Sequence, residues 1–198
     1  MAHEHSFASP GPCGLGALAM ACFTFFALLT GRVNHDALPL LACWMVGGGI
    51  CQLVAGVIEL KDHNIVGGNV FTFFAAFFMF VTALSLATKY GLSKAGLPMD
   101  GRIEGWGWLA GLAFLVMMTP NYLKSPKILF IAVVLIDIAL ACIVVLDLKL
   151  DVNRAMFAQL AAWCLLVAGW IGIYLVGAIS MNTHFGRVIL PATSPIVK

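Results

Sequence analysis

Residues 8–31 read ASPGPCGLGALAMACFTFFALLTG, a run of 24 residues without a single charge. A membrane-spanning helix needs roughly 20 mostly apolar residues, so this stretch is long enough for one crossing. Its beginning is unusual, because Pro10, Gly11, Pro12, Gly14 and Gly16 crowd the first turns. Proline fits there, where its missing N–H would have had no helical partner. Glycine allows another group to approach the backbone. This start is therefore expected to stay irregular and open. It would leave backbone N–H groups, and the positive end of the helix dipole, available to an anionic solute.

The rest of the chain repeats the same message. Of 198 residues, 62% are hydrophobic and only 10% charged, with a mean hydropathy of +1.00. Soluble domains are roughly 45–50% apolar and about 25% charged, so a soluble enzyme is excluded. Six apolar segments are long enough to span, at about 13–31, 38–60, 68–88, 105–121, 127–147 and 156–181. The expected fold is an all-α integral membrane protein, with six transmembrane helices in one bundle and a single domain over 1–198. Short polar tails are expected at 1–8 and 182–198, and the connection at 89–104 is long enough to carry its own structure. Met1–Ser9 has no Lys or Arg for the positive region of a secretory signal, so the first span is expected to be retained.

Charge does not orient the bundle. Lys61, Lys124, Lys127, Arg187 and Lys198 fall on one side; Arg32, Lys89, Lys94, Arg102, Lys149 and Arg154 fall on the other. Five against six leaves the positive-inside rule silent. The second span ends VIELKDHN and the fifth VLDLKLDVN, an echo that would make a three-plus-three pseudo-repeat of inverted topology. Trp106 and Trp108 read as an interfacial anchor for the fourth span.

Catalytic chemistry is not represented. No nucleophile elbow, phosphate loop or metal-ligand spacing occurs, and the six cysteines read as small packing residues. The net charge of +2 carries no basic patch for nucleic acid. His3 in the opening MAHEH could hold a copper or nickel ion, though a polar tail is the plainer reading; no metal or cofactor is expected.

Polar residues inside the spans are few, so each carries information. Asp137 lies near the middle of the fifth span, where a carboxyl costs about 2.5–3.5 kcal/mol on insertion scales. It is a candidate for proton handling, or else a protonated acid bonded to a neighbouring helix. Gln52, Gly56 and Glu59 are spaced to share one face of the second helix. Glu59 is a second proton-handling candidate, or an interfacial ion-pair partner. The third span carries two aromatic stripes, Phe71–Phe74–Phe78 and Phe73–Phe77–Phe80. Both cannot face one path, but either could form a hydrophobic constriction. Its start, VGGN, is the second glycine-rich helix start in the chain.

Three stretches, SPGPCGL at 9–15, CQLVAGVIELKDHNIVGGNVFTFF at 51–74 and MNTHFGRVILP at 181–191, together resemble the acetate/succinate transporter family (GPR/FUN/YaaH, the succinate–acetate permeases). The resemblance implies a multi-pass plasma-membrane (cell inner membrane) protein that moves acetate, and in some members succinate. It implies either proton symport or channel-like anion permeation, and assembly as a homohexamer with one path per protomer. By position it puts the constriction at Leu18, Phe74 and Ile136, with Leu135 as the neighbouring alternative. The substrate contacts it implies, together with the two helix starts, are Ser9, Pro10, Pro12, Gly14, Leu15, Gln52, Gly67, Asn69, Phe71 and Thr72. Two positions depart from the family pattern. Ser9 replaces the leading Asn of the opening motif, and Leu18 and Phe74 stand where relatives often have Phe and Tyr. Asp137 has no counterpart in the pattern. A six-span channel for a small neutral solute such as urea or a short amide is the alternative, although its sequence patterns fit poorly here. A structural subunit without a path is the third.

Overall fold

The computed structural model describes residues 7–197; His3 and the rest of the opening MAHEH lie outside the described residues. Six helices follow in order: α1 Gly11–Leu29, α2 Leu38–Lys61, α3 Ile65–Lys94, α4 Arg102–Met118, α5 Lys127–Asp147 and α6 Arg154–Phe185. No strand occurs among the described residues. Five of the six, all but α4, are long and apolar enough to cross a membrane. The six expected segments correspond in order to these six helices; α4 is the shortest, and its 17 residues reach about 26 Å at 1.5 Å per residue. A 3-10 stretch, Thr119–Lys124, carries the chain onward from its end.

The start of α1 is more regular than its composition suggests. The helix begins at Gly11 with Pro12 in its first turn, and Pro10 serves as its cap. The connection expected at 89–104 is also shorter. α3 runs on through Lys94, which pairs with Asp36 at 3.0 Å, and only residues 95–101 link it to α4. Within α3, Ala75–Val81 is wound as a π-helix, a wider turn that often marks a functional position.

Small residues set the helix contacts. A Cβ on Gly56 of α2 would lie 2.7 Å from the Thr72 backbone nitrogen, and one on Gly68 of α3 would lie 2.8 Å from that of Leu60. α2 and α3 therefore meet backbone to backbone, as small residues allow between helices in lipid. α1 also packs on α6 through small residues. A Cβ on Gly169 would meet the Phe23 ring at 2.9 Å, one on Gly172 would lie 3.4 Å from the Leu15 carbonyl oxygen, and Ala17, Ala19 and Ala21 are buried along α1. The core lies where α1, α2, α3 and α5 converge, around Met45, Phe74, Phe78, Met79, Ile136 and Leu140. Cys22, Cys142 and Cys164 fill a smaller cluster between α1, α5 and α6. Trp106 is exposed, but Trp108 turns inward and meets the Phe78 ring edge-on, with centroids 5.9 Å apart. Only the first fits an interfacial anchor.

The two echoing segments close alike. Asp62 caps α2 and is followed by His63 at φ 62°; Leu148 caps α5 and is followed by Lys149 at φ 55°. In each case an asparagine then opens the next helix. Asn64 accepts from the Gly67 N–H, and Asn153 from the Met156 N–H, both at 3.1 Å.

The FGRVILP ending acts as a clasp. Gly186 turns the chain at φ 62°, and the Asn182 carboxamide takes the N–H groups of Ile189 and Leu190 while donating to the Leu190 carbonyl. Tyr174 donates to the Pro191 carbonyl at 2.9 Å. Further on, the N–H groups of Ile196 and Val197 reach the Leu123 carbonyl, each at 3.0 Å. The tail thereby braces the connection between α4 and α5.

Candidate substrate path

A cavity of about 210 Å³ opens at the end of the bundle where α1, α3 and α5 begin. Ser9, Gly11, Leu15 and Leu18 line it from the start of α1, and Gln52 and Glu59 from α2. Val66, Gly67, Val70, Phe71 and Phe74 follow from α3, and Leu129, Val133 and Ile136 from α5. A second cavity, of about 420 Å³, opens at the opposite end, between Phe25 and Leu28 of α1, Phe78 and Lys89 of α3, Trp108 of α4 and Ile143 of α5. Between the two, one turn of packed side chains closes the way. Phe74 faces the first cavity and Phe78 the second, with ring centroids 6.0 Å apart and edge to face. Phe25 packs on Phe78 at 5.6 Å.

Each helix offers one continuous face to this line. On α1 it runs through Leu18 and Phe25, on α3 through Phe71, Phe74 and Phe78, and on α5 through Ile136 and Ile143. These are helical intervals of three, four and seven. Of the other aromatic stripe, Phe73 stacks on Phe114 at 4.0 Å and the Phe80 ring sits against Gly49, while Phe77 borders the second cavity.

The structure brings most of the sequence-derived residues together. Ser9, Leu15, Leu18, Gln52, Glu59, Gly67, Phe71, Phe74 and Ile136 share the first cavity. Gly14 acts behind its wall, since a Cβ there would lie 2.7 Å from the Phe71 ring. Pro10 and Pro12 shape the start of α1 and do not line the cavity. Leu135 packs in the apolar core beside the path. Asn69 donates to the Ile65 carbonyl at 2.7 Å, and Thr72 to the Gly68 carbonyl at 2.8 Å. Both side chains serve their own helix. Asp137 also lies off the path. One of its oxygens accepts from the Thr119 hydroxyl at 2.7 Å, tying α5 to the end of α4, and the other is buried without a partner among the described residues.

The bare backbone donors expected at the helix starts are largely committed. Cys13 and Gly14 N–H groups return to the Pro10 carbonyl, Gly67 N–H to the Asn64 side chain and Gly68 N–H to the Asn64 carbonyl. The anion-attracting ends are also already met by a carboxylate of the chain itself. Glu59 accepts a short hydrogen bond from Asn64. Its two oxygens lie so close that Cβ atoms on Gly67 and Gly11 would come within 3.2 and 3.7 Å of them. Side chains supply the cavity's polarity instead: Ser9, Gln52, Glu59, Asn64, Tyr122 and Ser125. Sequence reading missed Tyr122 and Ser125 as site residues. They sit in a short proline-flanked connection with no periodic signal, and only the clasp at the C-terminus shows why that segment is held in place.

Gln52 is only 1% exposed, and its Oε1 has no partner among the described residues. A buried acceptor beside a cavity favours a hydroxyl or a water there. Gln52→Leu removes that acceptor and is expected to raise the half-saturating concentration of a permeating solute roughly fivefold, equivalent to about 1 kcal/mol for one hydrogen bond made through such a water. Flux measured against concentration checks it.

Two cavities at opposite ends with an apolar closure between them, in a bundle in which five helices are long and apolar enough to cross a membrane, form the arrangement of a membrane transport protein. A family profile matches residues 1–194, and the chain belongs to the GPR1/FUN34/yaaH family. It is 30% identical over 188 residues to the "Succinate-acetate/proton symporter SatP" of Escherichia coli strain K12, covering 93% of this chain and 94% of that protein. A shorter match, 29% identical over 111 residues, covers 52% of this chain and 39% of the "Ammonia transport outward protein 2" of Saccharomyces cerevisiae. Among solved structures, the bacterial acetate channel SatP superposes with a TM-score of 0.81. That match is 26% identical and covers 94% of this chain and 99% of the other.

Proposed function

We propose that this protein carries acetate and related short-chain carboxylates, succinate among them, across the cell inner membrane, and that a proton accompanies the anion. α4 with its 3-10 extension acts as the sixth, shorter span, and protomers assemble as a homohexamer, as the family resemblance implies. The single observation that carries the carboxylate reading is the first cavity. It is narrow and mostly apolar, ends at Leu18, Phe74 and Ile136, and holds several hydrogen-bonding side chains.

The proton follows from Glu59. An incoming carboxylate in that cavity meets a resident carboxylate and no Lys or Arg on the lining. At about 4 Å two like charges repel by about 4 kcal/mol at an effective dielectric of about 20. A proton shared between them removes that repulsion, as it does wherever two carboxyl groups occupy one site. Asp137, off the path and bonded to Thr119, acts as a link between α4 and α5.

The test is uptake of labelled acetate and labelled urea into proteoliposomes, with and without an inward proton gradient, against protein-free liposomes. Acetate uptake that rises with the gradient supports the reading. Current that follows voltage without proton movement overturns the coupling, and urea flux with acetate excluded overturns the substrate class. In the same assay Glu59→Gln is expected to flatten the pH dependence of uptake, whereas Asp137→Asn leaves it unchanged. The opposite pattern would transfer the proton role to Asp137.

A further inference from the structure

The second vestibule holds a feature that the apolar closure does not use. Lys89 is the one cation that lines either cavity among the described residues. It stands one helical turn beyond Ser85 on the same face of α3. Glu104 of α4 lies against both, accepting from the Ser85 hydroxyl with one oxygen and from the Lys89 ammonium with the other. The Lys89 and Glu104 side chains are 30% and 23% exposed, so the pair borders the cavity and is partly sheltered from water. Asp147 of α5 lines the same cavity as a second carboxylate near Lys89. Arg154, at the head of α6, donates to the Leu146 carbonyl at 3.0 Å.

We infer that Ser85 and Lys89 form a carboxylate-binding site in the second vestibule, which Glu104 fills when no substrate is there and yields to the carboxylate of a permeating acid. The geometry is that of a two-donor cradle, one charged and one neutral, each directed at a different oxygen of a single carboxylate. Any small carboxylate presents the same two oxygens as Glu104. Charge-assisted hydrogen bonds of this type are about twice as strong as neutral ones, and they form here beside an apolar cavity where water competes less. An anion leaving the closure between Phe74 and Phe78 passes this cradle before it reaches solvent. The exchange also explains why a lone lysine can stand there without trapping the solute. Glu104, held close by, competes for it and returns when the solute departs.

This inference rests on the carboxylate-transport reading, and the same proteoliposome assay separates the two. Concentration-dependent flux of labelled acetate is measured for wild type, Lys89→Met, Lys89→Arg and Glu104→Gln. Lys89→Met is expected to raise the half-saturating concentration roughly tenfold with the maximal rate little changed. Lys89→Arg is expected to restore most of the affinity, because it keeps the charge and the donors. Glu104→Gln is expected to lower the half-saturating concentration about twofold or more, since a neutral amide competes less well for the ammonium. A merely structural pair would give the opposite for Glu104→Gln, with loss of flux or of folded protein and no gain in affinity. Wild-type acetate flux with unaltered half-saturation in both Lys89→Met and Glu104→Gln overturns the cradle and leaves the transport reading standing. Wild-type flux no greater than that of empty liposomes overturns both.

Discussion

Phe74→Ala will let larger monocarboxylates such as butyrate and benzoate cross roughly tenfold or more faster than they cross the unaltered protein, while acetate flux changes little. The ring is 6% exposed and forms the partition on the first-cavity side, edge-on to Phe78. Its removal leaves a void that joins the 210 Å³ cavity to the next turn of α3. A gap of that kind holds water once it is large and polar enough, and a closure that works by excluding water then fails. Loss of packing accompanies it, since Phe→Ala changes in well-packed cores cost about 3–5 kcal/mol. Thermal stability in detergent is therefore measured beside the flux ratio of benzoate to acetate. A ratio equal to that of the unaltered protein would remove Phe74 from the constriction.

The second large effect concerns the scaffold. Gly56→Leu is expected to abolish stable folding, because the new Cβ would lie 2.7 Å from the Thr72 backbone nitrogen and 3.0 Å from the Gly68 carbonyl oxygen. Backbone atoms cannot rotate aside as a side-chain tip can. α2 and α3 would have to separate, breaking the seam that positions Glu59 against Gly67. Overpacking of a tight core costs about 1–3 kcal/mol and occasionally more; two helix backbones in contact put this site at the upper end. Gly47→Ala in the same helix is the control, since nothing lies within 4 Å of its Cβ position. Size-exclusion profiles and thermal midpoints of the two variants decide it. A Gly56→Leu protein that elutes and melts like Gly47→Ala would show that the seam tolerates separation.

Much of this architecture was legible in the residues. Apolar length located the helices, because hydropathy over about 20 residues reflects the thickness of the bilayer. It marked α4 as well, but the helix there, Arg102–Met118, begins three residues before the apolar run and is the shortest of the six. The path face of α3 was visible as Phe71–Phe74–Phe78, yet spacing alone gave the Phe73–Phe77–Phe80 stripe equal standing. Packing of Phe73 on Phe114 and of Phe80 against Gly49 takes those two rings away, while Phe77 still borders the second cavity. Polar residues were harder. Thr72 and Asn69 look available in a sequence because nothing there shows that their own helix backbone takes them up. Glu59 looked like a boundary charge, and its place between the starts of α1 and α3 depends on a fold that returns residue 67 to residue 11. Lys89 was counted for orientation and nothing more, since the cavity it borders is formed by four separate helices.

The π-wound turn at Ala75–Val81 has a consequence for how this path can change. A one-residue deletion there would let the turn rewind as ordinary α-helix and leave the faces before and after it close to their present alignment. The same deletion in the regular part of the helix on either side would rotate everything beyond it by about 100°. Substitutions can retune either chamber separately, but the alignment of the two is set by residue count along this helix. Loss of one residue is absorbed at the wide turn and nowhere else along it.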